Sequence, residues 1–282
     1  MKYLAEALLV YLFYGFFRLM PVGLASALGG FIFASVGPLF GVSKHALNNL
    51  DIAFPEKSAV EKKIILKEMW EHLGRTLAEY PHLPYIVKNH VELSGLENIP
   101  KQEPVIFLSG HIGNWEILPL FLANVGYNMG VVYRAPNNPH VDKLLLNIRS
   151  YEGRIESFNK SRRGTMEMLR HLQGPGSVGL LVDQKFNKGE PIPLFGKPAM
   201  TALTFMDMAR KANAPVIPFR SERLQGHKFR LSFYPPVNLE GENAEIMTGV
   251  HHLLEDWIKE RPPQWLWLHK RWDSKALKNA EK

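Results

Sequence analysis

Residues 109–116 read SGHIGNWE, with a histidine at 111 and a glutamate at 116 around the glycines at 110 and 113. An imidazole can exchange a proton near neutral pH, and a carboxylate on one ring nitrogen holds the other ready to accept one. No Ser or Cys stands beside His111 to complete a triad. A His111–Glu116 pair without its own nucleophile suits a reaction in which the substrate supplies one, such as an alcohol attacking an acyl group. The turn at Gly110 and Gly113 would offer backbone N–H groups to the resulting oxyanion. A bare His-x4-Glu spacing arises by chance, and a glutamate at a helix start is favoured by the helix dipole alone. The restriction comes from context: an apolar run PVIFLSG before, glycines around, and ILPLFLANV after.

Other polar side chains close apolar runs. Arg134 follows MGVVY and is a candidate phosphate or donor clamp, since a guanidinium makes paired bonds to phosphate oxygens. Arg149 and Arg154 flank SYEG and are candidate ligands of a lipid phosphate. Asp183 and Gln184 end SVGLLV, a costly place for a carboxylate without a partner, and are assigned to substrate binding. Arg220 follows APVIPF and is counted with the groups beyond the carboxyl ends of the strands, and Thr201 is read as the N-cap of the next helix. WLWLHKRW at 265–272 either lines a membrane-facing mouth or packs back on the core. His45 and the neighbouring pair His251 and His252 show no metal spacing with acids and are read as surface or helix residues.

Positioning these residues requires an alternating fold. Strand-like PVIFLSG, MGVVYRA, ESFN, SVGLLVDQ and APVIPFRSE are separated by helix-like segments, the pattern of an α/β fold with a largely parallel central sheet flanked by helices. Functional groups then collect beyond the carboxyl ends of the strands. The stretch 185–200 is read as a loop, and residues 43–84 as helices, with Ser58 opening one of them. Between Ala7 and Val42 the single charge is Arg18, and Pro21 divides the run. Aromatics such as Tyr11, Tyr14 and Phe16 favour a membrane interface. The expected division is an anchoring helical segment at 1–42, its second helix packed beside the first, and a catalytic domain at 43–282. The chain has no cysteine, which excludes disulfides, thiolate metal sites and a Cys nucleophile. The net charge of +7, with basic runs at 160–164, 210–214 and 269–278, suits an anionic partner.

GHIGNWE resembles the H-x4-D/E motif of acyltransferases, in the Glu form followed by Asn-Trp that is typical of the late acyltransferases of lipid A biosynthesis. NNLDIAFPE, GRTLAEY, VVYRAPNNPHVDKLLLNIR, LLVDQ, PLFGKPAMTALTFMDMARKANAPVIPF and PPQWLWLHKRW are similar to that family's blocks, in its order. The resemblance implies a glycerolphosphate-acyltransferase-like fold. It implies His111 as general base on an acceptor hydroxyl, with Glu116 orienting it. It further implies acyl-acyl carrier protein as donor, a Kdo-bearing lipid A precursor as acceptor, no cofactor, no nucleic acid, and the cytoplasmic face of a Gram-negative inner membrane. Rival readings are an acyltransferase for a phosphatidylinositol mannoside, an ornithine lipid or a lysophospholipid, a hydrolase using the same pair, and a basic lipid-binding protein without chemistry.

Overall fold

A computed structural model describes residues 2–101 and 104–272; the basic run continuing past Trp272 lies outside them. The N-terminal third is helical: α1 (Lys2–Arg18), α2 (Val22–Val36), α3 (Ser43–Ala53), α4 (Ala59–Glu79) and α5 (Leu83–Asn89). There follow β1 (Val91–Ser94), β2 (Ile106–Ser109), α6 (Ile117–Asn124), β3 (Asn128–Tyr133), α7 (Pro139–Ser150), β4 (Ile155–Asn159), α8 (Arg162–Gln173) and β5 (Gly176–Leu181). The chain closes with β6 (Glu190–Leu194), β7 (Lys197–Thr201), α9 (Thr204–Ala212), β8 (Val216–Arg223), β9 (Phe229–Phe233) and α10 (Asn243–Glu260).

Seven strands form one sheet in the order β1-β9-β8-β2-β5-β3-β4. Every pairing is parallel except β8 with β9, whose sequence neighbours join as an antiparallel hairpin. The expected layered fold is therefore present. Strand β2 is buried along its length because both sheet faces are covered. Its side chains alternate between two cores. Ile106 and Leu108 join helices α3, α4, α9 and α10 on one face, whereas Phe107 joins α5 and α6 on the other.

The sequence reading departs from this fold at the β6–β7 hairpin, at Arg220 and in the packing of α2. Within the stretch expected to be loop, and running on to Thr201, lies the hairpin β6–β7; its three prolines hide a strand pattern, yet proline is tolerated on edge strands. Thr201 consequently ends β7 and is buried, its hydroxyl donating to Ala199 O, while the next helix begins at Thr204 with Leu203 in the cap position. Arg220, grouped from sequence with the residues beyond a strand's carboxyl end, lies inside β8 and pairs with Glu260 of α10.

Helix α4 opens with the capping box that Ser58 foreshadows: Glu61 N–H donates to Ser58 Oγ and Ser58 N–H to Glu61. Helix α2, expected beside α1, packs chiefly along α4. Gly29 and Gly74 bring the two backbones together: a Cβ on Gly29 would stand 2.6 Å from Gly74 O. Helix α1 turns much of its apolar surface outward, with Leu8, Leu9, Leu12 and Phe16 exposed. The window Val22–Leu39 is long and apolar enough to cross a membrane by length and composition.

Candidate active site

Strand β2 delivers His111 and the neighbouring strand β5 delivers Asp183, both just beyond the carboxyl ends of paired strands. The imidazole Nδ1 lies 2.8 Å from Asp183 Oδ1, and the His111 backbone N–H donates to Asp183 Oδ2 at 2.8 Å. Trp265 Nε1–H adds a third donor to that carboxylate, 2.7 Å from Oδ2. Burial alone would push the Asp183 carboxyl up, but the charge and hydrogen bonds of His111 outweigh it and hold it well below the usual carboxylate range. The carboxylate thus stays ionised and fixes the ring. Gln184 Nε2 approaches the opposite ring nitrogen of His111 at 3.2 Å.

Among the described residues, Glu116 bonds groups other than the His111 ring through its carboxylate. It sits one residue ahead of α6, and its carboxylate accepts from Tyr80 Oη–H at 2.7 Å, Trp115 Nε1–H at 3.1 Å and Arg149 Nε–H at 3.1 Å, with a second Arg149 bond to Oε1. A five-residue step around the Gly113 turn aims the glutamate at α4 and α7, leaving β5 to supply the acid that faces the ring. Desolvation would lower the Arg149 guanidinium, but Glu116 and Tyr80 more than reverse that and hold it protonated. Trp115 packs edge-on against His111, with ring centroids 5.1 Å apart.

The glycines serve the turn. Gly113 has φ +61°, and a Cβ there would meet Ser221 O at 2.0 Å, so the backbone of β8 closes against it. Its N–H donates to Gln264 O, and those of His111 and Ile112 go to Asp183 and Gly110 O. The Gly113 amide, expected from sequence to face an oxyanion, is instead spent on Gln264 O of the C-terminal segment. A Cβ on Gly110 would press to 3.2 Å from the Asp183 carboxylate.

Of the remaining candidates, Arg149, Asp183 and Gln184 come to the site. Arg134 is exposed in the loop after β3, at the same end of the sheet. Arg154 is held elsewhere: it bonds Asn124 Oδ1 at 2.7 Å and Tyr151 O at 3.1 Å, tying the turn before β4 to the end of α6. WLWLHKRW packs on the core, with Trp265, Trp267 and Arg271 fully buried. Among the described residues no group of three or more His, Asp or Glu side chains is arranged to hold a metal ion.

Sequence reasoning missed the support beneath the turn. Glu79 is fully buried at the end of α4 and pairs with buried Arg223 of β8. Its carboxylate also accepts from Ser26 Oγ–H at 2.7 Å and from Asn114 Nδ2–H at 2.9 Å, and Asn114 Oδ1 in turn accepts the Glu116 N–H. The available signal was GRTLAEY, whose last two residues are Glu79 and Tyr80.

Three histidines are kept neutral by their surroundings. Desolvation, with nearby cations, pushes His72 down to about 3 and His251 to about 4, and desolvation with the His111 ring beside it pushes His269 to about 4. His251, read from sequence as a surface or helix residue, lies in α10 and is buried, with Nδ1 2.6 Å from Pro193 O. Because these folded values lie below the unfolded value of about 6.5, the unfolded chain binds more protons as pH falls. Stability should thus be intact above about pH 6.5 and decline toward about pH 4. The thermal midpoint measured across that range should fall, and fall less steeply in His72→Phe, whose native Nδ1 has no hydrogen-bond partner among the described residues. A midpoint unchanged from pH 6.5 to 4 would contradict the neutral buried histidines.

Comparison with known proteins bears on this site. Residues 1–274 match the family model for bacterial lipid A biosynthesis acyltransferases. The chain is 26% identical over 244 residues to a lipid A biosynthesis myristoyltransferase of Escherichia coli, covering 80% of this chain and 74% of that protein. It is 26% identical over 245 residues to a lipid A biosynthesis lauroyltransferase of the same organism, covering 80% and 78%. A solved structure, the 1-acyl-sn-glycerophosphate acyltransferase of Thermotoga maritima, aligns with 78% of this chain and 95% of that one, at a TM-score of 0.40 and 14% identity.

Proposed function

Because the chain belongs to the bacterial lipid A biosynthesis acyltransferase family, we propose that it moves a fatty acyl chain from acyl-acyl carrier protein to a hydroxyl of a Kdo-bearing lipid A precursor, with His111 as the base. The observation that carries the mechanism is the His111–Asp183 contact of 2.8 Å, which commits Nδ1 and leaves Nε2 to work. His111 Nε2 takes the proton of the acceptor hydroxyl, and the freed oxygen attacks the thioester carbonyl of the donor. As the tetrahedral intermediate collapses, the C–S bond breaks and the imidazolium returns the proton to the leaving thiolate. Asp183 stabilises the imidazolium between these steps. Glu116 acts beside the base, fixing Arg149 against Tyr80 and Trp115 so that the wall around His111 is rigid.

The acceptor side is supported by the apolar surface of α1 and by α2, with which residues 1–42 attach the 43–282 domain to a membrane, here the cytoplasmic face of a Gram-negative inner membrane. The donor side is supported by Arg134, Lys160 and Arg162, all exposed beyond the carboxyl ends of β3 and β4. Such charge at the mouth suits an acidic carrier protein.

The test uses detergent-solubilised protein with acyl-acyl carrier protein and the lipid A precursor. Product mass should rise by one acyl group in wild type and not in His111→Ala. Release of free fatty acid alone would replace this reading with a hydrolase.

A further inference from the structure

Gln184 stands between two imidazoles. Its Nε2 is 3.2 Å from His111 Nε2 and 3.1 Å from His269 Nε2, and the two rings lie 5.2 Å apart at 63°. A primary amide has two N–H donors, and a neutral imidazole has one acceptor nitrogen. With Nδ1 of His111 committed to Asp183, its acceptor is Nε2. One amide hydrogen then goes to each ring, and both donors of Gln184 are used.

His269 can play this part because its segment is pinned to the site. Leu266 N–H donates to His111 O at 3.0 Å, and Asn49 Nδ2 of α3 donates to the carbonyls of Trp267 and His269 at 2.7 and 2.6 Å. The ring stays neutral down to about pH 4, so its lone pair is present wherever the enzyme would be assayed. A donor on the lone pair of a base has a consequence. A water that could otherwise sit there, be deprotonated and attack the thioester is kept out, whereas a tightly bound acceptor hydroxyl can displace the amide.

We infer that His269 is a positioning residue of acyl transfer: it tethers the Gln184 amide so that its second N–H caps His111 Nε2 against water until an acceptor hydroxyl takes its place. This rests on the proposed reaction. It gives a function to the His of WLWLHKRW, which the mechanism above leaves unused.

The test compares wild type, His269→Phe, His269→Gln, Gln184→Ala and the His269→Phe/Gln184→Ala double variant, scoring acylated lipid and free fatty acid together. Phe keeps the ring volume and removes the acceptor; Gln offers Oε1 near the place of Nε2. His269→Phe should lower kcat for transfer about tenfold, the scale of one lost tether, with little change in KM. It should also raise the ratio of free fatty acid to acylated lipid several-fold. His269→Gln should restore both values, and the double variant should match Gln184→Ala, since coupled residues are not additive. A His269→Phe enzyme with wild-type rate and product ratio, or losses that multiply in the double variant, would overturn the inference. Should His269→Phe unfold, Gln184→Ala alone must shift the product ratio, and failure to do so overturns it equally. Imidazole 15N spectra without substrate separate this from the reaction itself. They should show His111 and His269 each unprotonated at Nε2 in wild type even if no acyl chain is transferred. Either ring protonated at Nε2 would sink the cap.

Discussion

Asp183→Asn should cut the rate of acyl transfer by about 10³–10⁴ with the fold intact, a loss like that of a triad whose acid becomes an amide. The direction follows from the donors around the carboxylate. The His111 N–H and Trp265 Nε1–H both point at Oδ2, so an asparagine must place its oxygen there and its NH₂ toward His111 Nδ1. That amide donates where the carboxylate accepted. It forces the neutral ring to carry its hydrogen on Nε2, the nitrogen that should take the proton. Glu116→Gln leaves Asp183 and the tautomer untouched, and its loss in kcat should stay below about 10², as for a group that supports its neighbours. Rate measurements at saturating donor and acceptor decide between them. A Glu116→Gln loss equal to or greater than that of Asp183→Asn would return the orienting role to Glu116.

The contrast shows what a sequence can and cannot carry. The strands that deliver His111, Arg134 and Asp183 were legible because each is a short apolar run ended by a polar residue, and β2 and β5 are buried on both faces. The partner of His111 was not legible. Proximity along the chain favours Glu116, whereas Asp183 meets the ring only because β5 is inserted next to β2, a pairing between strands separated by β3 and β4. The same limit hid Trp265 and His269, which reach the site from the C-terminal segment through the bridge between Ile112 and Trp265. The hairpin β6–β7 was hidden for a local reason, the prolines at 191, 193 and 198. Thr201 looked like a cap but is a buried strand end that receives Arg271 at 2.6 Å.

Glu79→Leu should be the most destabilising single change in this protein outside its apolar core, costing about 3–5 kcal/mol, because it strands a buried guanidinium. Arg223 would keep, among the described residues, hydrogen bonds to Thr76 Oγ1 at 3.1 Å and Gly226 O at 2.8 Å beside its stacking on Phe229, with its Nε still unbonded there. The double variant Glu79→Leu/Arg223→Met removes both charges and should regain most of that stability, since apolar residues of similar volume often replace a buried ion pair without loss. Activity should not return with it. Asn114 would still lack the acceptor for its Nδ2–H, and the turn that carries His111 would lose its hold on α4. Thermal midpoint and kcat, measured on the two variants, are thus expected to part company: both low in the single variant, stability recovered and rate still low in the double. Recovery of both would mean that the pair only holds the helices together. If neither recovered, the cost would lie with the other groups Glu79 bonds, Ser26 and Asn114, rather than with a stranded charge.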